Sequence, residues 1–354
     1  MTASSGNKIY RVAQWATGNV GSRALRHVIE HPQMELVGVW VSNPAKVGKD
    51  AGELAGTAAT GIKATNSIDD ILAAKPDCVL YMPHVCNVDE VCQILESGAN
   101  VVSTRMEFQN PAARDPAMAA RLEAACAKGG TSIHASGSSP GFVTEALPIV
   151  MASIQRRWDK LTIDEFADCS SRNSPEMIFD MMGFGRPPSS ANEAQLAHKE
   201  LSFGPSLQLT MTAVGLPVER WELSGEQGIA RNDVQIAAGV VPKGTVAATK
   251  SIIRGYHGGR LVVEMATTWF VSTDVDTSDG EEWEFRTPSG WHVVLMGDCP
   301  LDMSISYPCA DEDYAEMTPG LTANRPVNAV PFVCEAAPGI RTTTDLPQII
   351  ARLG

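Results

Sequence analysis

The sequence predicts an α/β protein: an N-terminal, doubly wound parallel sheet, then a C-terminal α+β domain on a mostly antiparallel sheet. Three observations lead there. A β-rich run from Lys8 to Trp15 passes at once into a glycine turn and a helix pattern. Apolar strand-like runs and amphipathic helix patterns then alternate as far as about Trp158. Past that point the alternation stops and longer amphipathic strands take over.

The opening turn reads Ala16-Thr17-Gly18-Asn19-Val20-Gly21, and Val20, Ala24, Leu25, Val28 and Ile29 follow at helical spacing. In the G-x-G-x-x-G register of a Rossmann-type turn the three positions are Ala16, Gly18 and Gly21. Alanine at the first is expected to cost little, because the turn needs a small residue more than a bare α-carbon. Gly21 would let the helix pack close to the strand. Backbone N–H groups along Thr17, Gly18, Asn19, Val20 and Gly21, with the positive end of the helix dipole, suit a pyrophosphate.

Met34 to Ser42 is a near-continuous apolar run, as a strand buried on both faces requires. A dinucleotide's adenosine ribose sits at the end of this strand, where an Asp or Glu would bind its hydroxyls. The chain instead has Ser42, Asn43 and, three residues on, Lys46. Without a carboxylate to repel a 2′-phosphate, this predicts NADP(H), with NAD(H) also usable. Lys49 reads as a solvated loop charge.

Gly61 to Thr65 is a short strand, and Asn66 or Ser67 caps a helix from Ile68 to Ala74. Asp77 to Met82 is a buried strand ending at Pro83-His84, after which Asn87 caps a helix that Gly98 closes. Ala99 to Thr104 is the next strand and leads into Arg105-Met106-Glu107-Phe108. A helix from about Arg114 to Lys128 precedes the strand Thr131 to Ala135, which runs into Ser136-Gly137-Ser138-Ser139-Pro140-Gly141-Phe142, a second small-residue loop read as opening a helix.

Ligands of such sheets bind beyond the carboxyl ends of the strands. That rule collects Gly18, Ser42, Pro83 with His84, Glu107 and Gly137 to Pro140 on one edge. Glu107 lies between Met106 and Phe108, whose apolar side chains are expected to desolvate it and raise its pKa toward neutrality, suiting acid/base work. The other reading is a surface glutamate or a salt bridge to Arg105. Pro83 and His84 are expected along the cofactor. Backbone amides near Gly137 and Pro140 could contact cofactor or substrate, and Phe142 could wall a pocket.

In the second half, Leu161 to Cys169 reads as a strand and Glu176 to Met182 as a Met-rich helix. Phe179 and Met182, with Met177, Met181 and Phe184 nearby, make an apolar substrate pocket a candidate, although such stripes also build cores. Val234–Val241, Thr245–Tyr256, Leu261–Val271, Glu282–Thr287 and Trp291–Leu295 read as strands. Asn328-Ala329-Val330-Pro331 and then Asp345 to Leu353 read as a return helix and connection. The expected division is 1–145 for dinucleotide binding, 146–320 for substrate binding and dimerisation, and 321–354 for the return.

Composition narrows the partners. The net charge of -13, from 28 basic and 41 acidic residues, with no basic cluster, argues against nucleic acid and anionic membranes. No apolar run reaches the length of a membrane span, and Met1 to Asn7 does not read as a signal peptide. The 8 cysteines form no C-x-x-C pair and read as small buried side chains in a reducing compartment, so the cytoplasm is expected. His27 and His31 are four apart but lack a third ligand; they read as a helix-end pair favouring the dipole, and no metal site is predicted.

Several of these motifs resemble the dihydrodipicolinate reductase-like superfamily: the turn at Ala16–Gly21, the Ser42-to-Gly52 segment and the Ser136-to-Phe142 loop. Glu107, the Asp168-Cys169-Ser170 run, Met182-Gly183-Phe184-Gly185 and Val327-to-Pro331 resemble its 2,4-diaminopentanoate dehydrogenase and native amine dehydrogenase subgroup. The resemblance implies a two-domain NAD(P)H-dependent enzyme, a homodimer built through the second domain's sheet, and reversible reductive amination of a ketone or aldehyde with ammonia. The family's catalytic glutamate after the fifth strand falls on Glu107. The His-His pair and the Lys in a Pro-Ser-Gly-Thr context of true dihydrodipicolinate reductases are missing, which argues against that reaction. Two alternatives stay open: an ammonia-independent carbonyl or imine reductase, and a non-catalytic NADP(H)-binding sensor.

Overall fold

The computed structural model describes residues 8–189, 193–286 and 289–352. It has two compact units, Met1–Phe142 with Thr318–Gly354, and Val143–Met317.

The first unit alternates strand and helix: β1 (Tyr10–Trp15), α1 (Asn19–Glu30), β2 (Met34–Trp40), α2 (Ala51–Ala55), β3 (Ala64–Thr65), α3 (Ile68–Ala73), β4 (Cys78–Tyr81), α4 (Val88–Glu96), β5 (Asn100–Ser103), α5 (Pro111–Arg114), α6 (Pro116–Gly129) and β6 (Ser132–Ala135). The sheet order is β6-β5-β4-β1-β2-β3, with the short strand Gly339–Ile340 beside β6, and its pairs are parallel. The order reverses at β1, between β2 and β4, and such a switch point opens a crevice at the strands' carboxyl ends. Every residue of β4 and β6 is buried, as in strands covered on both faces, including the polar Ser132 and His134 of β6. The helix starts are set locally: Ser67, Asn87 and Asp115 each accept backbone N–H bonds in the first turn of α3, α4 and α6.

The second unit contains α7 (Leu147–Ala152), β7 (Trp158–Asp168), α8 (Glu193–Ala213), β8 (Arg220–Ala230), β9 (Val234–Ile236), β10 (Gly239–Val241), β11 (Val246–His257), β12 (Arg260–Phe270), β13 (Val275–Thr277), β14 (Gly290–Gly297) and β15 (Leu301–Ser306). Its main sheet runs β13-β8-β11-β12-β7-β14-β15, antiparallel except for the β12–β7 pair. Phe203, Leu207 and Met211 of α8 pack on Leu161, Ile163, Met265 and Val293 of one sheet face. The helix Asp311–Cys334 closes the chain's path, and its Ala323, Val327, Val330 and Val333 belong to a core of the first unit with Val12, Leu80 and Val102.

The predicted fold class is borne out, but several elements differ. Val234–Val241 is a tight antiparallel hairpin, β9 and β10, not one strand. Glu282 to Arg286 is irregular, and Thr287 lies outside the described residues. The helix near Asn328–Pro331 is the Asp311–Cys334 helix, whereas Asp345 to Arg352 is not helical. The Ser136–Phe142 loop does not open directly into a helix: Ser139, Pro140 and Gly141 are non-helical, and the Ser139–Pro140 peptide is cis.

Candidate active site

Beyond Trp15 the chain turns sharply. Ala16 takes a left-handed φ of 73°, so the alanine there is not a small concession: a Cβ in that region costs about 1–2 kcal/mol. Buried Gln14 braces the turn, its Nε2 donating to Ala16 O at 2.9 Å and Trp15 O at 3.3 Å. Gln14 escaped the sequence reading, although a polar residue inside an apolar strand was the available signal. Gly21 is obligatory, since a Cβ would stand 2.2 Å from Ala16 O. At Gly18 a Cβ would meet nothing within 4 Å, so the turn is open to a ligand on that side.

The start of α1 has no side-chain cap and no acid in its first turn, unlike α3 and α4. Its first N–H groups are left for an external acceptor. Asn19, exposed, instead accepts from Arg23 Nη1 at 2.9 Å through Oδ1, and Val20 packs against the core beneath. Lys46 crosses from the end of β2 to this turn: Nζ donates to Thr17 O at 2.8 Å and Thr17 Oγ1 at 3.2 Å. The ammonium meets neutral oxygens, and its charge remains available to an anion. Ser42 and Asn43 are exposed beside it, and Asn43 Oδ1 accepts from Ala45 N at 2.9 Å, ordering the loop that carries Lys46. Open space at Gly18, uncapped N–H groups and a lysine at the turn fit a dinucleotide's phosphates.

Glu107 lies just past β5 and is about one-fifth exposed. Arg105 clamps it, Nε donating to Oε2 at 3.0 Å and Nη2 to Oε1 in a short contact. Arg105 Nη1 also donates to His84 O at 2.7 Å, tying the β4 and β5 loops together. Burial is the largest single influence on Glu107 and pushes its pKa up. Hydrogen bonding and the charges of Arg105 and Arg114 outweigh it, so the net shift is downward. The expected rise toward neutrality is therefore corrected: the carboxyl is held ionised. Pro83 is half-buried and His84 exposed.

At β6 the loop is fastened to the C-terminal helix. Ser138 Oγ and Thr322 Oγ1 are 2.8 Å apart, and Arg325 Nε donates to Ser136 Oγ at 2.8 Å. Neither helix residue was singled out from sequence, because the prolines around them obscured the helix. Gly137 is buried, Pro140 half-buried, and Phe142 is exposed with its N–H bonded to Gly137 O at 2.8 Å. Phe179 and Met182 belong to the second unit and pack against its own core, the Phe179 ring lying over Gly185 and Gly239. The His27 and His31 rings are 5.6 Å apart, and burial pushes both pKa values down, so they are not the charged dipole pair expected. Among the described residues no three His, Cys, Asp or Glu side chains cluster as metal ligands, and no helix is long and apolar enough to cross a membrane.

The parallel sheet with its glycine turn and the second, mostly antiparallel sheet define a two-unit protein with a Rossmann-type dinucleotide-binding fold. Residues 15–104 match the family described as dihydrodipicolinate reductase, N-terminus, and residues 191–354 the 2,4-diaminopentanoate dehydrogenase C-terminal domain. An amine dehydrogenase of Streptomyces virginiae is 30% identical over 96% of this chain and 97% of its own. A 2,4-diaminopentanoate dehydrogenase of Acetoanaerobium sticklandii is 24% identical over 75% of this chain and 71% of its own. The solved amine dehydrogenase of Mycobacterium smegmatis superposes with a TM-score of 0.76 at 20% identity, covering 97% of this chain and 98% of that one. The chain belongs to the amine dehydrogenase family.

Proposed function

We propose that the chain catalyses reversible, NAD(P)H-dependent reductive amination of a small ketone or aldehyde with ammonia. The observation that carries this reading is Glu107: an ionised, half-buried carboxylate on the same sheet edge as the open glycine turn, in an amine dehydrogenase chain. When bound, the reduced nicotinamide supplies the hydride. Thr17, Gly18, Asn19, Val20, Gly21 and Lys46 hold the phosphates, Ser42 and Asn43 border the adenosine ribose, and Pro83, His84, Gly137 and Pro140 flank the nicotinamide end.

Glu107 has a role suited to its charge. Ammonium and the substrate iminium are cations, and a desolvated carboxylate stabilises a cation formed beside it. It also accepts the protons that the nitrogen gives up as it adds to the carbonyl carbon and returns them to the carbonyl oxygen, which leaves as water as the iminium forms. Arg105 fixes the carboxylate's rotamer and keeps it ionised. Phe142, Phe179 and Met182 remain the candidates for substrate selectivity. NADP(H) preference rests on the lack of an acid at Ser42 and on the charge of Lys46. Homodimerisation through the second sheet is the accompanying proposal; it is supported by the polar face formed by Lys160, Asp164, Arg254, Glu264 and His292, opposite the face that α8 covers.

The test is NAD(P)H oxidation with a panel of small aldehydes and ketones, with and without ammonium at alkaline pH. Turnover that requires ammonium is expected. Turnover without it points to a carbonyl reductase, and cofactor binding with no turnover points to a sensor or to a substrate class outside the panel.

A further inference from the structure

At the opposite end of β4 from Pro83 and His84, two thiols of the first unit meet. Cys78 is the first residue of β4, and Cys334 is the last residue of the C-terminal helix. Cys78 is fully buried and Cys334 half-buried. Both belong to the core that holds Val12, Leu80, Val102 and Val333. Cys334 Sγ donates to the carbonyl just before Cys78, Asp77 O, at 3.7 Å, and the Cys78 thiol hydrogen-bonds in turn to Cys334. The helix end that carries Cys334 is fastened on both sides. Ser132 Oγ donates to Val333 O at 2.6 Å, and Tyr10 Oη donates to Glu335 Oε1 in a short contact. Two nucleophilic sulfurs from distant parts of the chain are thus held together by the packing around them.

We infer that Cys78 and Cys334 are a redox-active dithiol, a modification site where a hydroperoxide converts the pair to a disulfide that staples the C-terminal helix to β4. Exposure divides the roles. Cys334 is the thiol that solvent reaches, so its sulfur meets the peroxide. Its thiolate attacks one peroxide oxygen and the O–O bond breaks. The other oxygen leaves as water with the proton that Cys334 gave up, and Cys334 becomes a sulfenic acid. The Cys78 sulfur then attacks that sulfur. The S–S bond forms, the S–O bond breaks, and the hydroxide leaves as water with the Cys78 proton. Two thiols give up two electrons, and one hydrogen peroxide becomes two waters. Burial, with the neighbouring Cys334, pushes the Cys78 pKa well above the usual thiol range, so Cys78 keeps its proton until this second step. The stapled helix carries Thr322 and Arg325, which fasten the Ser136–Phe142 loop. The bond therefore secures the element on which that loop depends.

The test is to reduce the full chain, remove the reductant, add hydrogen peroxide and map the peptides by mass spectrometry without reduction. None of this depends on turnover, so the site stands or falls separately from the proposed reaction. The peptides holding Cys78 and Cys334 should be found joined, and dithiothreitol should separate them. The oxidised chain should melt several degrees higher than the reduced one, because the bond closes a long loop. Cys78→Ala removes the second thiol, so Cys334 should go on to the irreversible sulfinic acid. Cys334→Ser should leave Cys78 reduced, and serves if Cys78→Ala does not fold. A sulfinic acid at Cys334 of the wild type with no linkage, a bond from Cys334 to another cysteine, an unmodified Cys334, or a Tm that does not rise on oxidation would overturn the inference.

Discussion

Glu107 and Arg105 are two residues apart, and their pairing reverses what the neighbouring apolar side chains suggest. The carboxylate is largely buried, but burial does not determine its charge, because the guanidinium reaches it with two hydrogen bonds. Glu107→Gln should therefore fold, bind cofactor and lose about 10²–10⁴-fold in kcat; a variant with full turnover would remove Glu107 from the chemistry. Arg105→Met should let burial prevail and raise the Glu107 pKa. Its kcat/KM should then fall on the acid side of the pH profile, where the wild type stays flat with respect to this group. At Ser42 an added carboxylate would face a 2′-phosphate, so Ser42→Asp should lower kcat/KM for NADPH on the order of tenfold while sparing NADH. Wild-type preference for NADH would contradict the reading of Ser42 and Lys46. Sequence located these residues because strand ends are legible. It could not give the direction of the Glu107 shift, which depends on where a long, flexible arginine points.

At the scale of elements, the β1–turn–α1 unit was legible because each residue is under a strong local constraint. Gly21 is the clearest case: its missing Cβ lets α1 lie against Ala16 O. Gly21→Ala drives a methyl into backbone that cannot step aside, at an expected cost of about 1–3 kcal/mol, read as a Tm several degrees lower and weaker cofactor binding; an unchanged Tm would mean that the turn relaxes freely. One helix was not legible and another only near its C-terminal end, at Asn328–Pro331, for identifiable reasons. The buried residues of α8 mix Phe203, Leu207 and Met211 with Ser202, Ser206 and Thr210, which blurs the apolar period. Ser206 bridges Thr144 and Glu145, each at 2.6 Å, so its polarity is used inside the unit. The Asp311–Cys334 helix contains Pro319, Pro326 and Pro331, each normally a helix breaker. It persists because Ala323, Val327, Val330 and Val333 bury a continuous stripe, and that packing is invisible to local propensity. Strand β8, RWELSGEQGIA, was missed because its many polar residues mask the alternation of a half-covered strand.

At the scale of the whole molecule, the acidic composition and lack of basic clusters fit a protein that binds its anionic cofactor with local donors and not with its overall field. Its response to acid should be governed by a few buried groups. His134 on β6 is fully buried; its Nδ1 donates to Arg341 O at 2.7 Å, and its Nε2 has no partner. Burial, with a contribution from the Arg325 charge, pushes its pKa down to about 4. Between about pH 6.5 and 4 the unfolded chain takes a proton that folded His134 refuses. Stability from this group is therefore complete above about pH 6.5 and is lost as the pH falls toward 4, by about 3 kcal/mol over the window. His27 and His31, also shifted down, act with the same sign. The measurement is urea unfolding of wild type and His134→Gln across pH 4 to 7. The variant retains a donor for Arg341 O but cannot titrate, so its stability should depend less steeply on pH, and the two curves should converge toward pH 4. Parallel curves would mean that folded His134 takes up its proton as readily as the unfolded chain does, and acid sensitivity would then fall below this window, to carboxylates such as Asp50, whose backbone hydrogen bonds from Thr60 and Gly52 hold its pKa at about 2, so that its stabilisation is lost only below about pH 4.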